Sequence, residues 1–276
     1  MPLSRITSAH NPRVKQAAHL RDARHRRKQG RIISDGLREI VRAVAVGVPL
    51  IEVFVNEEKL ALLETSPEWN MLSRCGAALF ALPVEVFSKI AFGQRDEGLV
   101  AVAERPSRKL DQLILPTTPL VAILEEVEKP GNVGAVFRSA DGAGLSAVIV
   151  AGRNPDLFNP NAIRASLGTV FTLPAAEAGP EEALAWARRQ GLQIVAARVE
   201  GAVDYTAIDY RRPTAIVLGS EAEGLSPLWQ ADDMTAVRLP MRGSADSLNI
   251  SAAAAVLFYE ALRQRSSDGA SSDSPR

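Results

Sequence analysis

A chain of 276 residues is long enough for two domains, and 32 Lys and Arg balanced by 32 Asp and Glu exclude a uniformly basic nucleic-acid binder. A single cysteine, Cys75, excludes an internal disulfide and a cysteine-rich metal site, and is consistent with a reducing cytoplasm. No apolar run reaches bilayer length and the N-terminus lacks a signal-peptide core, so no membrane partner is expected and the first residues read as mature structure.

The even charge balance hides an asymmetry at the start of the chain. Arg5, Arg13, Lys15, Arg21, Arg24, Arg26, Arg27, Lys28 and Arg31 face only Asp22 as an acid, and His10, His19 and His25 share the same stretch. Within it, "NPRVKQAAHLRDARHRRKQG" predicts one basic helix, with Asn11 as N-cap, Pro12 at the first helical position and Gly30 beyond the end. Residues 1–30 are therefore expected to form a basic arm. A solvated helix face and an RNA-phosphate footprint weigh equally for it.

Residues 31–105 alternate helical and strand patterns. "LREIVRAVAVG", "EEKLALL" and "VEVFSKIAF" are helical in spacing, while "IEVFV", "AALFAL" and "GLVAVA" read as strands, giving a small α/β domain. Pro106, Pro116 and Pro119 then break the rhythm, which places a linker at 106–118. From 119 to 265 strands "PLVAILEEV", "SAVIVAG", "TVFTLPAA", "LQIVAARV", "TAIVLG" and "AVRLP" are interleaved with helices, ending in an alanine-rich one. This pattern predicts a mostly parallel sheet covered on both faces. The tail 266–276 is polar and expected to be disordered.

Ligands of open parallel sheets bind beyond the carboxyl ends of the strands. Three loops of unusual composition lie at such ends: "EKPGNVGAVFRSADGAG", "LGSEAEGLS" and "LPMRGSADSLNIS". The first lacks G-x-G-x-x-G, which disfavours a dinucleotide oxidoreductase, but it offers Asn132 and Arg138. The second pairs Gly219 with Gly224 around Glu221 and Glu223; two acids argue against a phosphate loop, and the glycines allow close backbone approach. The third places Ser247, Asn249 and Ser251 at the mouth of the last helix, where capping and a site role weigh evenly. No histidine follows His25, so there is no hydrolase triad, and no cluster has metal-ligand spacing. Such a site works by positioning and electrostatics.

Taken together, "NVGAVFR", "GSEAEG" and "PMRGSADSLNISAA" resemble, in order and spacing, the three motifs of the SpoU (TrmH) family, RNA ribose 2′-O-methyltransferases of the SPOUT superfamily. "IRASLGTVF", with Ser166 and Gly168, is similar to a segment between the first two motifs, and "EKPGN" replaces the Asp-Pro-x-Asn form of many relatives. The resemblance implies a SPOUT trefoil-knot α/β methyltransferase domain over 119–265, preceded by a small α/β substrate-binding domain. It implies S-adenosyl-L-methionine held at Gly219, Leu239 and Leu248, with Met241, Glu223 and Ser247 nearby, and no metal. Arg138 takes the catalytic role, with Asn132, Glu221, Ser247 and Asn249 orienting it and the ribose. The implied partners are RNA, rRNA ahead of tRNA, and a second copy of the chain. A non-catalytic RNA-binding module of the same fold remains the main alternative.

Overall fold

The computed structural model describes residues 3–92, 97–199 and 203–267. It divides into two compact units, Met1–Ser107 with Phe158–Thr172, and Arg108–Leu157 with Leu173–Arg276. The expected disordered tail, apart from its first two residues, lies outside the described residues.

The first unit runs β1 (Ser4–Arg5), α1 (Pro12–His19), α2 (Ala23–Gln29), β2 (Arg31–Asp35), α3 (Leu37–Ala45), β3 (Leu50–Asn56), α4 (Glu57–Glu64), α5 (Pro67–Arg74), β4 (Ala78–Leu82), α6 (Val84–Phe87) and β5 (Leu99–Glu104). Its sheet has the order β1-β4-β3-β5-β2, parallel at β1/β4 and β3/β4 and antiparallel on both sides of β5. The core joins Val14, Ala17 and Leu20 to Phe54, Phe80, Leu82 and Val102.

The first 30 residues are thus built into this unit. The single basic helix expected there is two, because Leu20 turns into the core at 1% exposure and Asp22 then caps a new helix, its Oδ1 accepting from the Arg24 N–H at 2.7 Å. The one-signed charge is also partly spent on the fold. Arg5 pairs with Glu57 at 2.5 Å and Arg13 with Glu52. Arg21 donates to the Ala91 carbonyl, and Arg26, 1% exposed, donates to the carbonyls of Leu20 and Arg21, both at 2.7 Å. Counting acids within the segment missed these partners, which come from other elements or from the main chain.

The second unit contains β6 (Leu120–Glu125), α7 (Pro130–Gly142) and β7 (Ala147–Ala151). The chain then supplies α8 (Pro160–Ala165) and α9 (Thr169–Thr172) to the first unit. It returns through β8 (Ala175–Ala178), α10 (Pro180–Arg189), β9 (Gln193–Ala197), β10 (Val203–Asp204), β11 (Thr214–Leu218), β12 (Met234–Arg238) and α11 (Ile250–Ser267). The loan of 158–172 was not legible as a domain boundary. Arg164 pairs with Asp35 and lies over the Phe92 ring at 4.9 Å, and Arg42 donates to the Leu167 carbonyl at 2.8 Å. The expected strand "TVFTLPAA" is helical in its first half. The Ser166 and Thr169 hydroxyls bond carbonyls three residues back, at 2.8 and 3.0 Å, and hold the chain in turns up to Pro174. Residues of the expected linker also join the second unit: Leu110 is a core residue, with Leu113 and Leu115 packed against the same cluster.

All pairings in the second sheet are parallel, in the order β10-β12-β9-β11-β6-β7-β8. Strand β6, with Val121 and Ile123 fully buried, has its sequence successor β7 on one side and β11 on the other. The order reverses there, and the crevice outside the carboxyl ends of β6 and β11 is where such a sheet accepts a ligand.

Burial in the first turn of α3 sets a pH dependence. Glu39 is 3% exposed, and burial pushes its carboxyl above the ordinary range, with Glu97 and Asp35 adding to the rise and a backbone hydrogen bond and Arg38 opposing it. A carboxyl with a raised folded pKa binds its proton more tightly in the folded state, so stability falls as pH rises from the unfolded pKa through the folded one. Glu39→Gln should therefore raise the melting temperature near neutral pH, and the gain should shrink as pH falls through the carboxylate range. Melting curves across pH check this; a gain independent of pH would mean that Glu39 is not the titrating group.

Candidate active site at the carboxyl ends of the parallel strands

The second loop leaves β11 as a closed hairpin. Ser220 and Gly224 exchange main-chain hydrogen bonds at 3.1 and 3.0 Å, and the Ser220 hydroxyl accepts from the Glu223 N–H at 3.1 Å. Gly224 has φ +67°, and a Cβ on Gly219 would collide with the Gly224 carbonyl. Both glycines are therefore required by the loop's closure on itself, which presents Glu221 at its tip.

This hairpin is anchored from below. Glu125, the last residue of β6 and 2% exposed, accepts from the Ser226 N–H at 2.8 Å and from the Ser226 hydroxyl at 2.6 Å. Arg198, just past β9, donates to the Ser226 and Leu225 carbonyls at 2.9 and 3.3 Å. A buried carboxylate and a guanidinium so hold opposite sides of one peptide segment. The sequence reading missed Glu125 and Arg198. The only trace was an acid at the end of an otherwise apolar strand.

The third loop behaves in the opposite way. From Pro240 to Leu248, among the described residues, the main chain makes no hydrogen bond at all. Its donors and acceptors stand free, with Leu239 and Met241 half-buried and Leu248 40% exposed. The loop ends at Asn249, whose Oδ1 accepts from the Ser251 N–H at 2.9 Å and from the Ser251 hydroxyl at 2.6 Å, while its carbonyl accepts from Ala252 and Ala253. Asn249 is therefore the N-cap of α11, and Ser251 supports that cap.

Its other end does different work. Asn249 Nδ2 donates to Glu221 Oε1 at 3.3 Å and lies 3.5 Å from Asn132 Oδ1; Asn132 Nδ2 donates to the same Glu221 oxygen. Lys129 Nζ stands 3.9 Å from Glu221 Oε2. One carboxylate thus gathers all three loops. Three other candidates are not drawn into this network. Ser247 and Glu223 are exposed, and Ser247 makes no hydrogen bond among the described residues. Arg138 is exposed, and its side chain makes no hydrogen bond or ion pair among the described residues. Six residues at about 100° each carry it roughly 120° around α7 from Asn132. Asn132, Glu221 and Asn249 thus orient one another, and no described contact joins them to the Arg138 side chain.

Fold and site together define a two-unit α/β protein of the SPOUT methyltransferase class. The chain belongs to the SpoU family: the model of the SpoU rRNA Methylase family matches residues 119–259, and that of the MRM3-like substrate binding domain matches residues 11–101. It is 32% identical to the 23S rRNA (uridine(2479)-2′-O)-methyltransferase of Streptomyces viridochromogenes, over 96% of this chain and 94% of that protein. Among solved structures it is similar to an RNA 2′-O ribose methyltransferase, with TM-score 0.82 and 41% identity over 95% of this chain and 99% of that one. It is also similar to the SpoU methyltransferase AviRb from Streptomyces viridochromogenes in complex with AdoMet, with TM-score 0.83 and 32% identity over 94% and 99%.

The two ends of the Asn249 amide can be separated by substitution. Asn249→Ala should cost about 0.5–2 kcal/mol through the lost cap, while Asn249→Ser keeps a capping oxygen and should stay near the wild-type stability. Urea denaturation of both variants checks this; equal losses would show that the Nδ2 contacts, rather than the cap, carry the stability.

Proposed function

We propose that this chain transfers a methyl group from S-adenosyl-L-methionine to a ribose 2′-OH of ribosomal RNA. The observation that carries the reading is the junction of three loops on Glu221 at the switch point of a parallel sheet, beside a loop whose main chain is unpaired. The free donors and acceptors from Pro240 to Leu248, with the apolar Leu239, Met241 and Leu248, suit a flat purine held by main-chain groups. Gly219, Glu223 and Ser247 border the same space in the family's motifs. When bound, the cofactor supplies an electrophilic methyl carbon on a sulfonium.

The protein's own part is positioning and charge. A ribose hydroxyl becomes an effective nucleophile as its proton departs to solvent, negative charge then develops on the oxygen, and the new O–C bond would form as the donor's S–C bond breaks to leave a neutral thioether. Arg138 is suited to stabilise that charge or to clamp the neighbouring phosphate. A guanidinium stays protonated and so does not serve as the base. Glu221 is not a base either in this reading, because its oxygens are engaged by two amide donors and by Lys129. It fixes Asn132 and Asn249, and through them the geometry in which ribose and methyl donor meet.

The RNA is expected to engage the first unit, whose Lys15, Arg24 and Lys28 are exposed and make no side-chain ion pair or hydrogen bond among the described residues. A homodimer in the cytoplasm completes the reading. On α11, Val256 and Tyr259 are 38% and 51% exposed and available to a second copy.

Arg138→Ala should reduce methyl transfer to rRNA by about 10²-fold or more, the scale of losing one charge-stabilising donor, while calorimetry shows unchanged binding of S-adenosylmethionine. Loss of cofactor binding in the folded variant would move Arg138 out of the catalytic role. Asn249→Ser should also turn over poorly despite normal stability, because it keeps the cap but removes the amide donor to Glu221. Normal turnover would leave Asn249 a cap alone.

A further inference from the structure

Two of the three histidines lie ring on ring in the first unit. His19, at the end of α1, and His25, in α2, have centroids 4.8 Å apart and planes inclined by 26°. Leu20 to Asp22 break the helix between them, and this break folds α2 back so that the rings meet. The opposite side of the pair of helices is buried through Val14, Ala17, Leu20 and Arg26, so the stack is fixed to a packed base. His19 is exposed and His25 half-buried, which makes His25 the backing and His19 the outer ring.

The surroundings are cationic. Lys15 lies one turn before His19 on α1, and Lys28 lies three residues after His25 on α2, so each shares a face with its ring. Arg24 is one turn before Lys28. All three side chains are exposed and unpaired among the described residues, whereas Arg5, Arg13, Arg21 and Arg26 are held by the fold. A flat ring backed by a second ring and flanked by free cations has the composition of a single-strand contact, in which a base stacks and its phosphates meet Lys and Arg.

We propose that the His19–His25 stack is a platform for one unpaired base of the RNA substrate, with Lys15, Arg24 and Lys28 receiving the adjacent phosphates. This rests on the RNA-methyltransferase reading and adds a subsite to it. The preference is for a single-stranded segment, since a base inside a duplex does not offer its face.

The test uses the full chain, a short single-stranded RNA carrying one 2-aminopurine among uridines, and the same strand paired in a duplex. The expected result is quenching of the 2-aminopurine by the wild type, loss of that quenching in His19→Ala, and its retention in His19→Phe, which keeps a stacking face. The affinity of His19→Ala for the single strand should fall by about 5- to 160-fold, the range for one stacked base, with its affinity for the duplex and its melting temperature unchanged. Quenching and affinity in His19→Ala equal to the wild type would overturn the platform, as would failure of His19→Phe to restore them. Methyl transfer by the wild type to rRNA, measured alongside, separates the two failures: its absence sinks the reading of function, whereas its presence with an unaltered His19→Ala sinks only the platform.

Discussion

The junction of the three loops depends on one carboxylate. Glu221 stands at the tip of a hairpin that glycine alone permits, and its Oε1 receives the amides of Asn132 and Asn249 from the two other loops. Without that acceptor, the long 3.5 Å contact from Asn249 Nδ2 to Asn132 Oδ1 would be all that links the start of α7 to the start of α11 among the described hydrogen bonds at this end of the sheet. The constraint reaches downward as well. Glu125 and Arg198 hold Ser226, so the hairpin is seated on the ends of β6 and β9 before its tip meets anything. A buried carboxylate is costly unless hydrogen-bonded, and Glu125 meets that condition by binding the main chain of the loop it positions.

This division of labour explains the contrast between the second and third loops. The second is internally closed and anchored, and the third, among the described residues, is tied by hydrogen bonds only at its ends, by β12 and by the Asn249 cap. An unpaired main chain is tolerated where water or a ligand can satisfy it. The polar residues at the mouth of α11 therefore do not form a set. Asn249 caps with its oxygen and reaches the site with its nitrogen, Ser251 serves the cap, and Ser247 belongs to the open loop.

Charge in the first unit is divided in a similar way. Guanidiniums that reach carbonyls or carboxylates are structural, even where the local sequence offers no acid. Arg26 is the extreme case, a nearly inaccessible cation satisfied by carbonyls of the turn that precedes its helix. A one-signed run is thus an upper bound on the charge available to a partner, and only the tertiary partners say how much remains.

From the sequence alone followed the alternation of strands and helices, the parallel second sheet, and the position at strand ends of the three loops that carry Asn132, Glu221 and Asn249. Local patterns carry these: apolar runs, glycine at fixed spacing, and polar residues at a helix start. Two things were decided only by tertiary structure. Residues 158–172 go to the first unit because Arg164 pairs with Asp35 and Arg42 reaches the Leu167 carbonyl. Glu125 and Arg198 become anchors because Ser226 arrives between them. Each is a pairing across a long stretch of chain, and neither periodicity nor composition records which distant group a charged side chain will meet.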